Sequence, residues 1–288
     1  MATQLTCTKA WPRVGIQIMG VLNVTPDSFY DGGRYSTLDR ALLQAQQMAE
    51  EGVDIIDIGG ESTRPHAVPV SPEEECRRVI PVITHLQRAV GDIPLSIDSR
   101  HPAVIRAALD AGVAYVNDIN ALQDPQALSL VAEYGVPVCL MHMQGTPQSM
   151  QQAPRYENVR QEVYAFLAQR IEACLQAGIQ QAKICVDPGF GFGKTAHHNF
   201  DLLAHLNFFS ALGCPILVGL SRKNMFSEKH TPPEQRLSAS LAGAVIAALQ
   251  GARIIRTHDV GPTKQAIAVA TRVLALQQNI SSEVIRVC

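Results

Sequence analysis

Nine polar side chains stand at or just beyond the ends of short apolar runs: Asn23, Asp57, Asp98, Asn117, His142, Asp187, Lys223, Arg256 and His258. Asp98, Asn117 and Asp187 are acceptors or amides, the groups that read the donor and acceptor edge of a flat heterocycle in a small-molecule pocket. Two carboxylates in such a set could equally form a general acid–base pair or hold a metal. Ser221-Arg222-Lys223, with Arg256 and His258, make a cationic set suited to an oxyanion, arginine through its fork and lysine as a point charge. Each residue alone has a plainer reading, because Asp and Asn begin turns and cap helices. Arg222 keeps a plain surface reading on equal terms. The others become a site only if the architecture brings them together.

The chain has a repeating plan that would do so. Helical stretches end at Gly52, Gly91, Gly112, Gly135, Gly178, Gly213 and Gly251, where glycine supplies a left-handed C′ residue. Short β-branched runs follow: VDIIDIG, PLSID, AYVND, VPVCLM, AKICVD, PILVGL and ARIIRTH, with IQIMGVLN before them. Their near-continuous apolar character predicts a parallel sheet buried on both faces. The runs end near Asn23, Asp57, Asp98, Asp118, His142, Asp187, Gly219 and His258, about 34 residues apart, close to the spacing of a (β/α)₈ barrel. A doubly wound open sheet shares this alternation, but no Gly-x-Gly-x-x-Gly follows the first run. Ser71-Pro72-Glu73-Glu74 predicts a capping box and Asp124-Pro125 another helix start. The longest helix is expected from about Asn158 to Ala177, and Gly261-Pro262-Thr263 is expected to precede the last one. Residues 1–13 read as an extension across the barrel bottom and 14–288 as one α/β barrel domain.

In a barrel all strand ends converge on one mouth, and the loops after strands 7 and 8 often bind phosphate. Two loops are long and rich in Gly and Pro, Asn23–Gly33 and Gly59–His66, as lids over active sites are. Asp187-Pro-Gly-Phe-Gly-Phe-Gly-Lys194 only weakly resembles a phosphate cradle, and Phe192 reads as an apolar wall beside the pocket. His142 and His258 lie on separate strands, and His197-His198 reads as exposed, so a zinc hydrolase is not expected.

Composition narrows the class. A hydrophobic fraction of 47% excludes a disordered chain, and a net charge of −2 without a basic run argues against nucleic acid. The seven cysteines are odd in number and include no Cys-x-x-Cys, which favours the reducing cytoplasm over a disulfide framework. No signal-like or membrane-spanning run occurs.

The motifs GVLNVTPDSFYDGG, DIGGESTRP, SIDS, VNDI, CLMHMQG, DPGFGFGK, GLSRK and RTHDV, in this order from Gly20 to Val260, resemble the dihydropteroate synthase family. That resemblance implies a (β/α)₈ barrel, usually dimeric, which condenses dihydropterin-methyl pyrophosphate with p-aminobenzoate. The reaction releases pyrophosphate with Mg²⁺, and sulfonamides target the enzyme. It implies a catalytic set of Lys223, Arg256 and Asp31, and a pterin site of Asp98, Asn117, Asp187, Lys223, Met141 and Ile119. It further implies pyrophosphate contacts at Asn23, Thr63, Arg256 and His258, with Asn23 also at the metal. The p-aminobenzoate site would comprise Thr63, Arg64, Pro65, Phe29, Phe192 and Ser221. Tyr30, His66 and the Asn-Met-Phe after Ser221-Arg222-Lys223 depart from the common pattern and bear on loop mobility and sulfonamide response. The competing expectations are a pterin-binding methyltransferase domain serving a corrinoid partner and a non-catalytic pterin-binding paralogue. Neither explains why both GGESTRP and the Arg256–His258 pair are present.

Overall fold

A computed structural model describes residues 10–12, 15–25, 37–63, 67–227 and 231–287. Eight parallel strands alternate with helices: β1 (Gln17–Asn23), α1 (Thr37–Glu50), β2 (Ile55–Gly59), α2 (Pro72–Ala89), β3 (Leu95–Asp98), α3 (Pro102–Asp110), β4 (Tyr115–Asp118) and α4 (Pro125–Tyr134). The second half continues with β5 (Val138–Met141), α5 (Val159–Gln176), β6 (Ile184–Asp187), α6 (Ala196–Ala204), β7 (Leu217–Gly219), α7 (Leu237–Leu249), β8 (Ile254–Thr257) and α8 (Val260–Val287). Sheet neighbours run β6-β5-β4-β3-β2-β1-β8-β7. A parallel bridge between Val186 and Ile216, with the Val186 N–H on Pro215 O at 3.0 Å, closes the ring into a (β/α)₈ barrel.

Two apolar populations explain the unbroken hydrophobic runs. Ile18, Leu22, Ile56, Ile58, Ile97, Val116, Leu140, Val186 and Ile255 pack outward in the core shared with the helices. Met19, Ile55, Tyr115, Cys139, Cys185, Leu217 and Ile254 form a separate cluster that fills the lumen. Because strand side chains alternate, each strand feeds both. Trp11 joins the lumen cluster at 2% exposure. Its indole N–H donates to Val138 O (3.1 Å) and Lys183 O (3.2 Å) at the strands' N-terminal end, and its ring lies 4.7 Å from that of Tyr115. The barrel floor is thus sealed by a residue from the segment read as an extension.

All seven glycines expected after helices have positive φ, from 60° to 100°. Other expectations need correction. β2 does not end at Asp57 but continues to Gly59. At α2 only the serine half of the capping box forms, because Glu74 turns to Arg78. The complete capping box is at α6, where His198 caps Thr195, so His198 is engaged rather than simply exposed. The longest helix is α8 with 28 residues, against 18 in α5. Gly261 and Pro262 lie inside its first turn, where a proline removes no intrahelical donor.

Candidate active site

Strand alternation decides which polar groups reach the mouth. Two residues beyond Ile55, Tyr115, Cys139, Cys185 and Ile254 of the lumen stand Asp57, Asn117, Met141, Asp187 and Arg256, on the same face. Register sets Asn23, Gly59, Asp98 and Asn117 side by side across β1–β4, Met141 beside Asp187, and Gly219 beside Arg256. Asp118, one residue past Asn117, points the other way and accepts the N–H groups of Asn120 (2.7 Å) and Leu122 (2.8 Å). The turn-capping reading therefore holds for Asp118 and not for Asn117.

Asp57 is the hub of this layer. It is fully buried, and its Oδ2 accepts from Asn117 Nδ2 (2.9 Å) and Arg256 Nε (2.7 Å). The same guanidinium donates through Nη2 to Asp98 Oδ2 at 2.6 Å. Arg256 thus joins β2, β3 and β8 through two of its three guanidinium nitrogens. Burial works against its charge, but Asp57 and Asp98 more than offset this and raise its pKa. Asp98 is raised by burial, with Arg256 opposing. Asp187 is also raised by burial, opposed by the Gly189 N–H (2.7 Å to Oδ1) and by Lys223.

The loops after β7 and β8 supply the other pole. Burial pushes Lys223 down to about 8, with Asp187 opposing, so it remains largely protonated at neutral pH. Its Nζ sits 4.2 Å above the Phe192 ring centre, which makes Phe192 a cation–π platform as well as a wall. The surroundings of His258 disfavour its charged form. Burial pushes it down to about 3, and its Nδ1 lies 3.0 Å from Ser221 Oγ, so it offers a neutral hydrogen bond. Arg222 is left-handed (φ 58°) and forms a bidentate pair with Asp259 at 3.1 and 2.6 Å, tying the two loops together.

Residues 19–258 match the family described as pterin binding enzyme. The dihydropteroate synthase of Escherichia coli (strain K12) is 49% identical, covering 91% of this chain and 93% of that protein. The chain belongs to the dihydropteroate synthase family. Its reaction class is transfer of a pterinylmethyl group. A crystal structure of the Yersinia pestis family member with a sulfonamide drug complex superposes with a TM-score of 0.86 at 49% identity, covering 91% of this chain and 95% of that one. The Xanthomonas albilineans enzyme in complex with 7,8-dihydropteroate gives 0.82 at 47% identity, covering 91% and 94%.

Within this family framework, Asp98, Asn117, Asp187, Met141, Lys223 and Arg256 converge on one mouth. Met141 is buried, as is Ile119 just past β4. Asn23 is half-buried at the tip of β1, and its Oδ1 and Asp98 Oδ2 each lie 3.7 Å from where a Cβ on Gly59 would stand. The missing side chain thus leaves a notch between two oxygen donors. Thr63 and Ser221 are half-buried. Phe29, Tyr30, Asp31, Arg64, Pro65 and His66 lie outside the described residues. Two functional candidates, Glu61 and Lys194, escaped the residue-type reading, and a third, Asp57, was placed among the strand-end polar groups without a role of its own, although its two-residue offset from Ile55 marks it as lumen-facing. Glu61 accepts Val70 N–H (3.1 Å) and both Arg100 Nε (3.2 Å) and Nη2 (3.3 Å), stapling the feet of the loop after β2 to the end of β3. Lys194, read weakly as part of a phosphate cradle, is instead buried inside its own loop.

Proposed function

We propose that the mouth binds the pterin on Asp98, Asn117 and Asp187, with Met141 and Ile119 at its faces and Lys223 beside it. The observation that carries this reading is the joining of the first two groups through Asp57 and Arg256. An acceptor, an amide and a second acceptor are thereby held on inward positions around one opening, as a heterocycle with amino and ring N–H donors requires. The C–O bond to pyrophosphate breaks as the pterin ring delocalises charge on the methylene. The aromatic amine of p-aminobenzoate, unprotonated at neutral pH, then attacks that carbon and releases one of its protons to water. The protein fixes the pterin, stabilises the leaving group and orients the amine, and no strong base is needed.

Pyrophosphate is assigned to Asn23, Thr63, His258 and Arg256. Two of the Arg256 nitrogens are committed to Asp57 and Asp98, so it contributes chiefly long-range charge and one remaining amino group. No group of three His, Cys, Asp or Glu residues suited to a metal occurs among the described residues. Mg²⁺ would be held by Asn23 Oδ1 beside the Gly59 notch, with water and substrate phosphate as its other ligands. Mg²⁺ would supply charge neutralisation on the departing pyrophosphate. Thr63, Ser221 and Phe192, with Phe29, Arg64 and Pro65, are assigned to p-aminobenzoate, and Asp31 to the catalytic loop.

A homodimer is proposed from exposed apolar residues on two helices that pack together, Ile246 and Leu249 of α7 and Val269, Val273 and Leu276 of α8. A cytoplasmic location is proposed from the seven cysteines, odd in number and without a Cys-x-x-Cys, which give no sign of a disulfide framework. The test of the activity is pyrophosphate release from dihydropterin-methyl pyrophosphate. Release that requires p-aminobenzoate and Mg²⁺ supports the reading; failure to release in their presence refutes it.

A further inference from the structure

The segment after β6, Asp187-Pro-Gly-Phe-Gly-Phe-Gly-Lys194, winds into a tight coil. Gly189, Gly191 and Gly193 have φ of 72°, 79° and 63°, a conformation that side-chain-bearing residues resist. The coil also approaches the chain after β5 too closely for side chains: a Cβ on Gly189 would lie 1.8 Å from His142 O, and one on Gly193 2.5 Å from Gln144 O. Between these glycines, Phe190 is buried and Phe192 reaches the mouth beneath Lys223.

Lys194 turns back into this coil and is only 3% exposed. Its Nζ lies 2.9 Å from Gly189 O, 3.0 Å from Phe192 O and 2.9 Å from His142 Nδ1, with His142 O at 3.5 Å. Three close acceptors match the three donors of an ammonium group. The arrangement assigns His142 the tautomer with Nδ1 free to accept, which agrees with burial and Lys194 pushing that imidazole down to about 2. Burial also pushes Lys194 down to about 7, opposed by Asp187. The other coil carbonyls are taken from outside, Gly191 O by Gln151 Nε2 (2.6 Å) and Gly193 O by Tyr156 Oη (2.8 Å).

We propose that Lys194 is a positioning residue for pterin recognition. Its ammonium closes the coil and holds it against His142. That closure keeps the Gly189 N–H on Asp187 and the Phe192 ring under Lys223. Lys194 touches no substrate and acts through these two neighbours. The charged groups facing Asp187 are Lys194 from its own segment, Lys223 after β7 and Arg256 on β8. Removing Lys194 leaves two of these cations, so Asp187 gains a proton at higher pH than before.

This inference rests on the assignment of Asp187 to the pterin, and the test separates the two. Lys194→Met and Asp187→Asn are compared with the parent enzyme by calorimetry from pH 5 to 9, using 6-hydroxymethylpterin and, separately, Mg²⁺–pyrophosphate. Cooperative melting establishes that each variant is folded. Lys194→Met is expected to bind the pterin about 10- to 100-fold more weakly, the loss expected from slight misplacement of reading groups. Its acid limb of pterin binding should move to higher pH while pyrophosphate affinity stays at the parent value. Equal loss for both ligands, or an unmoved acid limb, overturns the proposal, since a purely structural lysine would give that result. If Lys194→Met does not fold, His142→Leu removes one acceptor and keeps the ammonium. A smaller loss confined to the pterin then supports the proposal, and parent-like binding overturns it. Parent-like pterin binding by Asp187→Asn would instead remove the assignment of Asp187 itself.

Discussion

Asp57 offers a perturbation that separates charge from orientation at the mouth. Its Oδ2 accepts from Asn117 and Arg256, while its buried Oδ1 has no partner among the described residues. In Asp57→Asn the amide oxygen can take the Oδ2 position and keep both hydrogen bonds, with the amide nitrogen where Oδ1 stood. The negative charge is lost, and the amide nitrogen stands where no acceptor faces it. Arg256 still has Asp98 at 2.6 Å, so the cost should lie near that of one weakened charge-assisted hydrogen bond, about 1.5 kcal/mol in unfolding free energy. Asp57 is also one of the groups that raise Asp98, so this variant should hold Asp98 ionised to lower pH. Asp57→Ala removes both acceptors, frees the Asn117 amide to rotate and strips a buried cation of one partner. Its cost should approach about 3–5 kcal/mol. Pterin affinity should fall at least about tenfold, since a reading group loses its anchor. Urea unfolding and calorimetry with a pterin lacking pyrophosphate measure the two effects. Equal behaviour of the two variants, or parent-like pterin affinity in folded Asp57→Ala, would refute the view that Asp57 orients the site.

Other outcomes follow from the same structure. Glu75 is fully buried and pushed up to about 7, chiefly by burial, so its contribution to stability is present below its usual carboxylate range and lost as pH rises through 7. Glu75→Gln should therefore raise the unfolding free energy relative to the parent at pH 8, by up to about 3 kcal/mol, but not at pH 4; the same gain at both pH values would contradict the assignment. Trp11→Ala should lose about 3–5 kcal/mol by opening the barrel floor. Its kcat should be unchanged well below the melting temperature, because the floor is at the far end from the mouth. Finally, p-aminobenzoate should bind weakly to the free enzyme and tightly once Mg²⁺–pyrophosphate is present. By composition Thr25–Gly33 and Glu61–His66 are mostly Gly, Pro and polar residues, which offer little apolar burial against the entropy of ordering, and only a ligand that favours one loop state shifts its population. Equal affinity in both titrations would mean a preformed pocket.

Much of this protein was written locally. Seven glycines marked helix ends because a left-handed C′ residue is a property of the residue type. The apolar runs and their spacing determined a βα repeat, and motif order identified the residues at the strand ends. What local patterns left open was direction. Asp57, Asn117 and Asp118 all end or interrupt apolar runs, yet two face the mouth and the third caps a turn. Closing the sheet into a ring gave each strand an inside, and the two-residue period then sorted them. Charge state was equally a tertiary matter. His258 belongs to a cationic set by type, but burial and the nearby Arg256 push its pKa down, which no local pattern shows. Arg256, read by type as an anion contact, also bridges carboxylates from two other strands, at sequence separations of 199 and 158 residues. No window of sequence contains such a pairing, because it exists only where distant strands are brought into register around one lumen.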